Sequence, residues 1–292
     1  MSAAVNYQVG STAPVHATGC QVTLVEDSSA GTLTMNVSFT DPSLGVVAIG
    51  MSVLNYSPTK NEYSVESMEV VAETPAGGWA LAADGSASLY IRKSAVGSFV
   101  TYHGLFNAPN LAWQGEGTQP PFSLKFSTFT FTAIPADVTA DDEHTVVGGA
   151  GVGSITYTFG SGTQQTEAVS VTSTSFYDNN VIYAVQLFMY FGDPVQGLCE
   201  LRIQVSPFTG TGIYNYNNAN VALDLWAAAQ NPGNWDCGYG FEGVTLDVIY
   251  SQTNNVTNWQ GTLVVSNLPR QEGPQPPVNL DLSALTLTIH ES

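Results

Sequence analysis

Lysine and arginine are nearly missing from this chain: there are 6 in 292 residues, against 24 aspartates and glutamates, for a formal net charge of −18. A field of that sign repels phosphate backbones and anionic headgroups, which argues against nucleic acid and against simple electrostatic membrane binding. Charged residues of either sign make up only 10% of the chain, well under the roughly 25% of ordinary soluble domains. The surface is therefore largely neutral and polar. That balance suits a protein working extracellularly or at a cell surface, where few basic residues also means few sites for trypsin-like proteases.

Long apolar runs are missing too, and no stretch approaches the roughly 18 residues that a membrane helix needs. The opening "MSAAVNYQVGSTAPVH" has neither a basic n-region nor an apolar h-region, so no signal peptide is expected in the chain as given. Cysteine is scarce: Cys20, Cys199 and Cys237 show no CxxC spacing, which gives zinc no ligand set. Cys199 and Cys237 either close a bridge around a loop of about 38 residues or remain buried thiols.

The hydrolase templates find little support. GxSxG and HExxH do not occur. Of the four histidines, only His103, in "TYHGLF", is embedded in the interior of a half, where a hydrogen-bonded structural role is the expectation. A secreted hydrolase is thus the third functional reading.

What is present is alternation. In "GTLTMNVSFT" Leu33, Met35, Val37 and Phe39 alternate with polar residues, and "KFSTFTFT" and "LDLSALTLT" do the same. Period two marks strands with one buried and one wet face. "VIYAVQLFMYF" (181–191) is apolar almost throughout and reads as a central strand covered on both sides. Only "NVALDLWAAAQN" has helical composition. Glu200 and Arg202, on one face of the next strand, read as a solvated ion pair.

The chain also repeats itself. "QPPFSLKFSTFTFT" (119–132) and "QPPVNLDLSALTLT" (275–288) share seven of fourteen residues, with three further Phe/Leu exchanges. Upstream, Pro75, Trp79, Asp84, Gly85, Leu89 and Ile91 match Pro232, Trp235, Glu242, Gly243, Leu246 and Val248, and Trp113-Gln114-Gly115 matches Trp259-Gln260-Gly261. The last match requires ten extra residues in the second half, between Gly261 and Pro276, which read as a loop insertion.

A period near 150 residues is that of a whole domain. The chain is therefore expected to be all-β, two tandem, duplicated antiparallel β-sandwich domains of jelly-roll type. The expected boundaries are an N-terminal extension at 1–17, a first domain at 18–135, an acidic linker at 136–146 and a second domain at 147–292.

Three groups are candidate sites. Trp113 and Trp259 offer flat indole faces on which a sugar ring could stack, or else they close the ends of the cores. In "GTGIYNYNNANV", Tyr214 and Tyr216 project to one side of an extended segment while Asn215, Asn217, Asn218 and Asn220 supply amides. Flat aromatics beside neutral amides suit a neutral glycan. Asp137, Asp141, Asp142 and Glu143 could surround a calcium ion, although their spacing is not that of an EF-hand.

The leading expectation is a non-catalytic binding protein with a glycan or surface-protein partner and no resident cofactor other than calcium. Its rival is a self-associating structural subunit of a surface assembly, since a neutral, Lys-poor β-surface does little to repel edge pairing.

Overall fold

The structure, a computed structural model, describes residues 2–27, 29–57, 62–83, 85–96, 99–133, 144–178, 181–215, 220–227, 235–237, 242–253, 256–269 and 277–290. Among the described residues every regular element is a strand and no helix occurs. The chain divides into two compact units, Met1–Pro135 and Ala136–Ser292.

Unit 1 contains β1 (Ser2–Val9), β2 (Val15–Asp27), β3 (Thr32–Asp41), β4 (Gly45–Leu54), β5 (Glu62–Ser64), β6 (Ser67–Ala72), β7 (Gly77–Leu81), β8 (Ser88–Val96), β9 (Phe99–Trp113) and β10 (Phe122–Ala133). Unit 2 contains β11 (His144–Phe159), β12 (Gln165–Asp178), β13 (Val181–Asp193), β14 (Gly197–Ser206), β15 (Gly212–Asn215), β16 (Asn220–Ala227), β17 (Trp235–Cys237), β18 (Val244–Thr253), β19 (Val256–Leu268) and β20 (Val278–His290).

Read along the hydrogen bonds, the first sheet runs β5-β8-β9-β10-β1-β2-β3-β4-β6-β7, and the second runs β15-β18-β19-β20-β11-β12-β13-β14-β16-β17. Adding ten to every strand number of the first order yields the second, so the duplication read in the sequence is a duplication of topology. In unit 1 the sheet closes on itself, because Trp79, Ala80 and Leu81 of β7 pair with Trp113, Ala112 and Leu111 of β9. Both sheets are barrel-like or sandwich-like. Most strands pair with their neighbours in sequence, which is the order of a meander rather than the Greek-key exchange of a jelly roll.

Period-two burial builds each core. In β3 Leu33, Met35, Val37 and Phe39 are buried while Thr34, Asn36 and Thr40 are exposed. Each such side chain contributes about 1.5–3 kcal/mol on leaving water. β13 is buried at nearly every position, including Gln186, Phe188 and Tyr190, which lie off the core face.

Several expectations need correction. Residues 2–9, expected within an extension, form β1, which lies between β10 and β2. Residues 220–227 of the segment with helical composition form β16: Val221, Leu223, Leu225 and Ala227 all enter the core, so side-chain alternation against β14 overrides helix propensity there. Glu200 is buried, and Arg202 pairs with Asp224 of β16, directly across the ladder at 3.5 Å.

The repeated motifs have structural explanations. The Gly10 N–H donates to the Pro121 carbonyl at 2.8 Å, and the Gly160 N–H donates to Pro277 at 2.9 Å. The Trp79 indole N–H donates to the Pro120 carbonyl at 2.8 Å. The Gln-Pro-Pro segment thus acts through its carbonyls, which prolines retain. A second motif, Asp-Pro-x-x-Gly, occurs at 41–45 and at 193–197. Asp41 Oδ1 accepts from the Ser43 and Leu44 N–H groups, and Asp193 Oδ1 from those of Val195 and Gln196. Gly45 (φ 70°) and Gly197 (φ 73°) then take the left-handed conformation that ends each turn.

Candidate binding surfaces

The ladder registers locate the expected aromatic platforms. Trp259 pairs with Leu287, and Tyr102 pairs with Phe131. Phe131 and Leu287 are equivalent in the Gln-Pro-Pro repeats, so Trp259 corresponds to Tyr102 and not to Trp113. "YHG" at 102–104 is the true partner of "WQG" at 259–261. The described part of the stretch read as a loop insertion, through Leu268, belongs to β19. Gly104 and Gly261 share a constraint: a Cβ would lie 1.9 Å from the Tyr90 carbonyl oxygen or 2.6 Å from that of Asp247.

Trp259 and Tyr214 are interior, at 1% and 4% exposure. Phe208 stacks between them, its ring 4.5 Å from Trp259 and 5.2 Å from Tyr214, and Tyr250 lies edge-on to both Phe208 and Trp259. The Tyr214 hydroxyl donates to the Gly210 carbonyl and accepts the Thr209 N–H at 3.1 Å, closing the turn before β15. Neither ring presents a face to a sugar. Asn215 is half-buried at the end of β15, while Tyr216 and Asn217 lie outside the described residues, as do Asp137, Asp141, Asp142 and Glu143. Among the described residues no group of three His, Cys, Asp or Glu side chains could hold a metal ion.

Trp113 differs from Trp259: it is half-buried, edge-on to Trp79 at 4.9 Å, and its indole N–H donates to the Glu116 carbonyl at 3.2 Å. Gly77 and Gly115 make room for the ring, since a Cβ on either would come within 2.5 Å or 2.3 Å of it. His103 is buried in β9. Cys20 and Cys199 are buried free thiols, and burial pushes Cys20 up to about 12. Unreactive core thiols behave in this way.

Unit 1 has the same aromatic arrangement in a different chemistry. Tyr63 pairs with Leu89 as Tyr214 pairs with Leu246. The Tyr56 N–H donates to Gly31 as the Phe208 N–H donates to Tyr183. Lys93, across from Tyr102, occupies the place of Tyr250. Its ammonium lies 4.5 Å from the Tyr102 ring centre and 3.8 Å from Glu26 Oε2, to which the Tyr102 hydroxyl also donates. Burial raises the Tyr56 hydroxyl above its ordinary range, and Glu26 adds to the effect.

Two open sheet faces remain. In unit 1 Thr34, Asn36, Ser52, Glu66, Ser67 and Glu69 border a shallow groove of about 390 Å³ at Gly50, and Ala48 and Val71 continue the same outward face of β3, β4 and β6. In unit 2 the outward residues of β18, β19 and β20, among them Asp247, Ile249, Gln260 and Thr286, border a second groove of about 380 Å³ at Gly261. Ile213 and Val264 extend that face with 54% and 47% exposure.

The two faces occupy different positions in the fold. In unit 2 the equivalents of Thr34, Asn36 and Ala48 are Gln186, Phe188 and Glu200, all at most 1% exposed. In unit 1 the equivalents of Asp247, Gln260 and Thr286 are Tyr90, His103 and Thr130, all at most 4% exposed. Each kind of face is thus open in one unit and excluded from solvent in the other. No family model matches this chain, and neither a curated protein nor a solved structure does so.

Proposed function

We propose that this protein is a non-catalytic structural subunit that associates with other molecules of itself, in an extracellular or cell-surface setting. The observation that carries this reading is the pair of open sheet faces, built mainly of neutral polar and aliphatic side chains, with Glu66 and Glu69 on the first and Asp247 and Asp281 on the second. Charge is depleted where protein surfaces meet. A partner as acidic as this chain meets least repulsion where charge is sparse and where salt screens what remains.

Faces serve this role better than edges. The sheets end in short strands, three residues in β5 and β17 and four in β15, which offer little backbone for pairing. Glycan binding loses support because Tyr214 and Trp259 are interior, leaving Trp113 as the one half-exposed platform among the described candidates.

Sedimentation velocity over a range of protein concentrations tests the reading. The expected result is a weight-average sedimentation coefficient that rises with concentration, and rises further as salt screens the net negative charge. A monomer at every concentration and salt would remove the proposal. Glycan-array binding abolished by Trp113→Ala would replace it with the glycan reading.

A further inference from the structure

We infer that unit 2 carries a calcium site at one end of its core, held by the carboxylates of Glu167 and Asp193 and the amide oxygen of Gln196. The site is independent of the open sheet faces and of self-association.

Val171 of β12 pairs with Met189 of β13. Glu167 lies four residues before the first and Asp193 four after the second, so both reach the inward face at the same end of adjacent antiparallel strands. Glu167 Oε2 accepts the Gly192 N–H at 3.2 Å, which brings it beside Asp193. Asp193 Oδ1 accepts the Val195 and Gln196 N–H groups at 2.8 and 2.7 Å. Among the described residues neither carboxylate meets a lysine or arginine. Like charges side by side in a ladder destabilise it. Burial, then the charges of Glu167 and Asp193, push the Tyr157 hydroxyl above its ordinary range, and burial, then the same two charges, act likewise on the Cys199 thiol. Both carboxylates therefore bear on one small region at the end of the core.

Gln196 is an independent pointer to a ligand there. It is 5% exposed, and its Oε1 is buried without a hydrogen-bond donor. Its place in the Asp-Pro-x-x-Gly turn of unit 1 is taken by Leu44, which packs against the core of that unit. Gln196 thus turns inward over the same end of the core as Asp193. An unpaired amide oxygen in a leucine's place costs free energy unless positive charge meets it.

Unit 1 shows what the fold itself demands. The equivalents of Tyr157, Asp193, Glu167 and Gln196 are Tyr7, Asp41, Ala17 and Leu44, and the Tyr7 hydroxyl donates to the lone carboxylate of Asp41. Unit 2 therefore adds two oxygen-bearing side chains around a shared aspartate, where an alanine and a leucine serve the scaffold equally well. Two carboxylates and a neutral amide, with no third acidic ligand, suit a hard cation. Calcium accepts an irregular set of oxygens and completes it with water, whereas magnesium demands near-octahedral geometry. So few protein ligands give weak binding, with a Kd of about 10⁻⁴ to 10⁻³ M, as in other extracellular modules.

Calorimetric titration and melting curves of the full chain test the site. Roughly 10 mM calcium chloride should raise the melting temperature of wild type by about 3–8 °C over sodium chloride of equal ionic strength, and magnesium should do clearly less. Glu167→Ala and Gln196→Leu, which install the unit 1 residues, should lose both the shift and the titration heat. Glu167→Gln, which keeps an acceptor for the Gly192 N–H, must lose them too, so a Glu167→Ala variant that fails to fold does not shield the site from test. In EGTA, Gln196→Leu should melt no lower than wild type, and a clear drop would show that the amide is already partnered and overturn its role. A wild type indifferent to calcium would overturn the site, as would an equal response to magnesium, which marks general screening. So would a calcium response that survives the Glu167 and Gln196 variants and disappears in the combined Asp137→Asn, Asp141→Asn, Asp142→Asn, Glu143→Gln variant, which would place the ion in that acidic stretch.

Discussion

The same corner of the fold is built twice with different chemistry. In unit 2, Tyr214, Phe208, Trp259 and Tyr250 form a stack of rings with two edge contacts. In unit 1 their equivalents are Tyr63, Tyr56, Tyr102 and Lys93, and the lysine reaches over the ring of Tyr102 toward Glu26. Backbone pairing and the hydrogen bonds from Tyr56 and Phe208 are the same in both. The scaffold therefore demands a large flat side chain at three positions and is indifferent at the fourth. An aromatic edge or a cation can cover the ring, since both meet its electron-rich face with positive charge density.

The largest expected effects test the equivalence itself. Trp79 and Trp235 are fully buried at matching places, opposite Val70 and Leu225. Replacing either by Ala should cost about 3–5 kcal/mol in urea unfolding. A wide difference between the two would break the correspondence of the units.

Trp259→Ala should cost about as much, whereas Tyr102→Ala should cost only about 1–2 kcal/mol, because Tyr102 is half-buried and Lys93 keeps Glu26 as partner. Equal costs would show that the charged corner is packed as tightly as the aromatic one.

Asp41→Ala should cost about 2 kcal/mol, because two turn N–H groups and the Tyr7 hydroxyl lose a charged acceptor. Burial would raise the Asp41 carboxyl, but the Tyr7 hydroxyl and the Leu44 and Ser43 N–H groups outweigh it and hold it below its ordinary value. Its contribution is thus complete above roughly pH 4 and is lost as pH falls through the lowered folded value. Wild type and variant should converge in acid, and a gap that persisted there would assign the effect to packing alone.

The smallest effect belongs to Lys93. Lys93→Met should cost about 1 kcal/mol at low salt and less at high salt, since the ammonium is partly exposed. Tyr250→Met, its counterpart, should show no salt dependence. A salt-independent Lys93→Met would show that the alkyl chain, and not the charge, covers the ring.

Part of the site was legible before the fold was seen, and part was misread for a clear reason. The Trp79 and Trp235 match survives because both tryptophans, and the Leu89 and Leu246 that follow them, occupy the same ladder positions in the two sheets. The Trp113 and Trp259 match fails although the letters are identical, because Trp113 lies where β9 meets β7 and Trp259 is equivalent to Tyr102, eleven residues earlier along that strand. The equivalence of Tyr214 and Tyr63 is not legible in the letters, because Tyr63 lies in a three-residue strand with no sequence motif around it. The repeated Asp-Pro-x-x-Gly would have aligned β3 and β4 with β13 and β14 from the letters alone.

Local pattern by itself determined that the chain is all-β, that it is duplicated, and which residues of most strands face inward. Alternation and turn chemistry depend on neighbours a few positions apart, so the sequence records them directly. Tertiary structure alone decided that Ala222–Ala227 is strand, that Tyr214 and Trp259 are core, and that Ala48 is open while its equivalent Glu200 is buried. Those outcomes depend on what lies across each residue after folding. Two side chains with the same local pattern then differ only in whether another surface has removed their water.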